Sequence, residues 1–248
     1  MIRLLDAAIR VKSGLKEFTP PVLWHILRIT WAKFRGSYSE SGIDKELITL
    51  LPYKHGFYVE VGANDGLSSS NTALLEKQQG WTGILIEPIP HKFLECLQNR
   101  SQRNFVSCSA CVSFTYSKEF VELMYSDKMT IGINLESDID EPLKHAHAGL
   151  RFIPKQNTFL FLARARTLTS ILIEARAPKE IDFLSVDVEG AELEVLRGID
   201  FNQFTFKYIL VECRDFKVMI EFMNANGFKL CKEISQKDLL FSKDAFLI

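Results

Sequence analysis

Residues 58–66 read Tyr-Val-Glu-Val-Gly-Ala-Asn-Asp-Gly, and Leu85-Ile86-Glu87-Pro88 follows after about one helix-length of chain. Each apolar run closes on an acid, Glu60 and Glu87. At the carboxyl ends of sheet strands such acids face the place where ligands bind. Gly62 and Gly66 let backbone approach a ligand closely. A carboxylate such as Glu87 accepts hydrogen bonds from both hydroxyls of a ribose. The pattern is therefore one for a nucleoside. It is not the dinucleotide pattern, because Asn64 stands where the middle glycine belongs and Asp65 would repel a pyrophosphate. S-adenosylmethionine (SAM) suits it better, since it carries a sulfonium and an amino-acid tail but no phosphate. Glu60 and Asp65 suit its ammonium, the amides around Gly62 and Ala63 suit its carboxylate, and Glu87 suits its ribose.

Further along, Asp187-Val188-Glu189-Gly190 closes the apolar run Ile181–Val186, and Glu212 closes Ile209–Val211. Methyl transfer from a sulfonium is an in-line displacement that needs an aligned acceptor. A hydroxyl acceptor must also lose a proton to a base or be acidified by a metal. Asp187 and Glu189 are candidates for the base or for an acceptor anchor. Asp187 also reads as a cap for the helix opening near Gly190. His145 and His147 are candidate bases as well. Asp187, Glu189 and Glu212 offer hard oxygen ligands for a divalent metal, with His145 or His147 added. Cys108-Ser109-Ala110-Cys111 has C-x-x-C spacing without the second pair that a zinc site needs. It reads instead as a strand exit whose Ser109 and Ala110 line the adenine side. Arg166 and Arg214 read equally as anion partners or surface ion pairs.

Taken together, Val59–Gly66, Glu87-Pro88, Ala165-Arg166-Thr167-Leu168, the block Ile181-Asp-Phe-Leu-Ser-Val-Asp-Val-Glu-Gly190 and Ile209–Glu212 resemble the FkbM family of SAM-dependent methyltransferases. The resemblance covers residues 53–215 and keeps the motifs in order. It implies a class I, Rossmann-like α/β fold: a mostly parallel seven-stranded sheet with helices on both faces. It implies SAM as cofactor, and an acceptor that is most often the oxygen of a glycan, lipopolysaccharide or natural product. The leading expectation is O-methylation of a glycan or lipid-linked saccharide hydroxyl. The alternatives are a small-molecule or natural-product O-methyltransferase and an inactive, membrane-associated scaffold keeping the fold. A nicotinamide oxidoreductase is disfavoured by Asn64 and Asp65.

These residues need a sheet to hold them, and the chain has the material for one. It has 248 residues, of which 47% are apolar, with 19 phenylalanines. Alternating strand and helix patterns predict a parallel sheet: Phe57–Val61, Asn71–Gln79, Thr82–Ile86, Pro90–Arg100 and Phe105–Cys108. The rhythm resumes with Leu168–Arg176, Ile181–Val186, Ala191–Leu196, Tyr208–Glu212 and Phe216–Asn226, then a hairpin of Phe228–Glu233 with Leu239–Ser242. Residues 112–165 interrupt it as an insert after the third strand. That insert has strand-like pieces and polar loops, His145–Gly149 among them, and suits a lid or substrate wall. Residues 1–42 read as a basic, helical extension and linker before the domain expected over 43–248. Trp24, Leu27 and Trp31 recur at helical spacing opposite Arg28 and Lys33, a pattern suited to peripheral membrane contact. A formal net charge of −1 disfavours a nucleic-acid partner. The odd count of five cysteines, without a disulfide spacing, points to a reducing, cytoplasmic setting.

Overall fold

Strand β1 (Phe57–Val61) shows the logic of the sheet. Its side chains alternate, so Tyr58 enters one apolar cluster while Val59 and Val61 enter another. The same division runs through β2 (Thr82–Ile86), where Leu85 faces the first cluster and Ile84 and Ile86 the second. Both faces are thus buried, as a parallel sheet requires. The computed structural model describes Thr30, residues 36–39, 42–152 and 157–243. Of the basic helical extension and linker expected over residues 1–42, only Thr30, residues 36–39 and Gly42 are among these; the rest of that expectation lies outside the described residues.

The first face is covered by α1 (Ile43–Leu50), α2 (Ala73–Gln79) and α3 (Pro90–Asn99), through Ile43, Leu47, Leu75 and Cys96. The second is covered by α5 (Leu168–Glu174), α6 (Glu192–Leu196) and α7 (Phe216–Ala225). The remaining sheet strands are β3 (Phe105–Ser107), β8 (Glu180–Val186), β9 (Thr205–Glu212), β10 (Phe228–Glu233) and β11 (Asp238–Lys243). Seven strands lie in the order β3-β2-β1-β8-β9-β11-β10. β1, β2, β3, β8 and β9 pair in parallel, and β11 runs antiparallel to both neighbours. The order reverses between β1 and β8, and a crevice opens there beyond the strand ends.

The insert is more regular than its sequence suggests. It carries β5 (Phe120–Tyr125), β6 (Ile131–Ile133), α4 (Pro142–Gly149) and β7 (Phe159–Arg166). With β4 (Ala110–Cys111) these strands form a second sheet in the order β4-β7-β5-β6. Val121, Leu123 and Ala163 bury one face of it against Ala110 and Val112. The segment expected as a polar loop at His145–Gly149 is part of α4. Pro142 sits at the start of this helix, where a proline costs no hydrogen bond.

Candidate functional site

The loop after β1 is fixed by its glycine. Gly62 has φ 87°, and a Cβ there would fall 1.8 Å from the Asp187 carbonyl oxygen. Only glycine therefore lets the β1 and β8 exits approach each other. Gly62 N and Ala63 N donate to the Ile86 carbonyl at 3.0 and 3.1 Å, and Gly66 N donates to the Ala63 carbonyl. These amides are thus bound within the protein, which corrects the expectation that they meet a ligand carboxylate. Asp65 is also turned inward. It is 1% exposed and accepts from the amides of Leu67 and Ser68. Neither Ala63, Asp65 nor Gly66 lines the crevice, whereas Gly62 and Asn64 do.

Glu60 is a second correction. It accepts from Ser70 Oγ, Asn71 N and Thr72 Oγ1 and pairs with Arg100 Nη1 at 3.3 Å. Arg100, fully buried, also binds Glu76, Tyr58 and the Gly66 carbonyl. Glu60 therefore ties the loop to α2 and α3 and does not reach the crevice. Two residues on from Tyr58, it points to the same face, the one covered by α1, α2 and α3.

Glu87 lies where the sequence places it. It is 3% exposed, lines the crevice and accepts from Asn64 N at 2.7 Å and Ile89 N at 2.8 Å. Burial pushes its carboxyl up to about 7, against the pull of those two amides. Pro88, Ser109 and Ala110 stand beside it on the same wall.

Opposite, Asp187, Glu189 and Glu212 bring carboxylate oxygens within 4.8 Å of one another at the ends of β8 and β9. Burial, then Glu212 and Glu189, push Asp187 well above the usual carboxylate range, so its protonated form is favoured. Glu189 holds the left-handed conformation at φ 57°. Strain of this kind in a non-glycine residue concentrates at functional sites. His145 Nε2, reaching in from α4, lies 2.8 Å from Glu189 Oε2. That contact has ion-pair distance without hydrogen-bond alignment. Arg214 bridges Asp138 and Glu189, each at 3.3 Å, and Lys237 stands 3.3 Å from Glu212. Asp187 does not cap α6, whose N-cap is Ala191 without a side-chain bond; Glu192, the first residue of the helix, instead ties down the preceding turn by accepting from Val188 N and Gly190 N. Burial pushes Glu192 up to about 8.

Two other candidates leave the site. His147 is exposed, with Nδ1 2.7 Å from the Leu143 carbonyl, and does not line the crevice. Two residues apart on a helix, it and His145 face roughly opposite ways. Arg166 pairs with Glu174 on the outside. The crevice, about 290 Å³, also takes in residues that sequence reasoning missed: Ser68, Ser69, Asn71 and Lys128. The run Ser68-Ser69-Ser70-Asn71 after Gly66 was the available signal for the first three. Nothing in the local sequence marks Lys128.

A seven-stranded α/β sheet with its crevice at the β1/β8 reversal, and with motif acids at the strand ends, defines a Rossmann-like methyltransferase class. The methyltransferase FkbM domain matches residues 60–230, and the chain belongs to that family. This membership supports SAM as the methyl donor. No curated protein sequence matches the chain. Among solved structures it is similar to a methyltransferase from Geobacter sulfurreducens, with 10% identity, 94% of each chain covered and a TM-score of 0.45. It is also similar to a human methyltransferase 10 domain containing protein, with 13% identity, 96% of each chain covered and a TM-score of 0.42. A third is M. capricolum TrmK in complex with S-adenosyl-homocysteine, with 8% identity, 80% of this chain and 68% of that one covered, and a TM-score of 0.39.

Proposed function

We propose that the protein transfers a methyl group from SAM to a hydroxyl oxygen of a glycan or lipid-linked saccharide. The observation that carries this reading is the cluster of Asp187, Glu189, Glu212 and His145 on one wall of the crevice, with Glu87 on the other. The crevice suits the cofactor: Glu87 faces it as an acceptor for ribose hydroxyls, and Ser109 and Ala110 continue that wall. Bound there, SAM supplies an already activated methyl group. The Glu189–His145 pair takes the acceptor's proton. Asp187, beside Glu212 on the same wall, anchors the acceptor oxygen. The insert excludes water from one side.

A second reading has an observation of its own. Three carboxylates within 4.8 Å suit a hard divalent cation. Arg214 and Lys237 already offset two of those charges, which favours the proton-handling reading. A transfer rate unchanged by chelation and by added magnesium supports proton handling; a rate that needs the ion supports the metal.

The basic residues of 1–36 and the lipid-linked acceptor class favour the cytoplasmic face of a membrane as the setting. No helix among the described residues is long and apolar enough to cross a membrane. The experiment for the whole reading is tritium transfer from labelled SAM into a cell-envelope glycan fraction, compared with Glu189→Gln. Label in a different fraction, or label unaffected by the change, rules it out.

A further inference from the structure

A bound SAM brings an α-carboxylate that needs a positive or donating partner. The amides of Gly62, Ala63 and Gly66 are spent on the Ile86 and Ala63 carbonyls, and the Asn64 amide on Glu87. Among the described residues, the cations lining the crevice are Lys128, Arg151, Arg214 and Lys237. Arg214 and Lys237 sit at the acid cluster, on Glu189 and Glu212. Arg151 stands at the exposed mouth, over the Phe152 ring and 3.9 Å from the Met129 sulfur. Lys128 alone of these reaches the β1 side. Its ammonium donates to the Ser69 hydroxyl, on the wall that Ser68, Ser69 and Asn71 share.

The insert builds a mount for this lysine. Residues Asp127–Met129 form a 3-10 turn, and Asp127 takes the left-handed conformation at φ 53°. The Asp127 carboxylate pairs with Lys92 of α3 at 3.1 Å, and both side chains are 8% exposed. Thr130 Oγ1 donates to the Asp127 carbonyl and accepts from Ser126 N. Anchored from below by α3, the turn carries Lys128 across to the loop after β1.

We infer that Lys128 binds the carboxylate of the cofactor, so that the insert completes the cofactor site as well as walling the acceptor side. This rests on the reading that the crevice holds SAM. Decarboxylated SAM keeps the sulfonium and ammonium and lacks only the group in question, so it isolates the contact. Calorimetry on the full chain would compare SAM and decarboxylated SAM on wild type, Lys128→Ala and Lys128→Arg, with thermal melts as a folding check. Expected is about a tenfold loss of SAM affinity in Lys128→Ala, no comparable loss for the decarboxylated ligand, and recovery in Lys128→Arg. Equal losses for both ligands, or no loss for either, overturn the assignment. Wild type that binds neither ligand removes the cofactor reading itself, a result distinct from those two.

Discussion

His145 Nε2 lies 2.8 Å from Glu189 Oε2, joining a helix of the insert to the loop that ends β8. One partner comes from the insert and the other from the body that carries the seven-stranded sheet, so the pair exists only when the insert is docked on that body. Replacing either residue removes a proton acceptor without emptying the core. Glu189→Gln and His145→Ala should each lower turnover about 10²- to 10⁴-fold. Affinity for S-adenosylhomocysteine should hold within about twofold, and His147→Ala should leave turnover intact, since that ring faces outward. Turnover equal to wild type in Glu189→Gln would contradict the assignment.

Arg100 is the keystone of the β1 loop. Its side chain is fully buried and pairs with both Glu60 and Glu76. Arg100→Leu leaves two carboxylates buried without their cation, which costs about 3–5 kcal/mol. Arg100→Lys should not restore it, because one ammonium cannot reach Glu76, Glu60, Tyr58 and Thr72 together. Chemical denaturation measures both. A leucine variant as stable as wild type would show that the network contributes little.

Stability should fall as pH rises. Glu87 and Glu192 are pushed up to about 7 and about 8, and Asp187 is pushed up too. With folded values above unfolded ones, the folded chain holds these protons longer. The associated stability is present below the unfolded values and is lost as pH rises through the folded ones. Melting temperature of the ligand-free protein should therefore drop between about pH 5 and 8. A melting temperature that climbs across that window contradicts the burial argument.

Gly62→Ala tests the close approach of β1 and β8. An added Cβ would lie 1.8 Å from the Asp187 carbonyl oxygen, at φ 87°. The loop must shift, at a cost of at least about 1–3 kcal/mol from the backbone conformation alone. A loss of S-adenosylhomocysteine binding should accompany the loss of stability. Unchanged melting and unchanged binding would mean that the two exits can separate freely.

The sheet was legible because parallel strands buried on both faces leave unbroken apolar runs. Phe57–Val61 and Thr82–Ile86 begin and end where the sequence predicts. The acids at the strand ends were legible as positions but not as directions. Glu60 and Glu87 look alike in sequence, yet Glu60 points to Arg100 and Glu87 to the crevice. Only the strand's alternation and a partner forty residues away separate them. His145 and His147 were indistinguishable until α4 gave them a helical period. Lys128 could not be found, because its place depends on how the second sheet docks.

The most direct test is calorimetric titration of the full chain with S-adenosylhomocysteine at about pH 8, beside Glu87→Gln, where Glu87 is mostly ionised. Expected is saturable binding at one site per wild-type chain. The variant should bind about tenfold or more weakly, because its amide replaces one of the two acceptor oxygens with a donor. Wild type that takes up no ligand, or a variant that binds equally well, would show that the crevice at the end of β2 is not where the methyl donor sits.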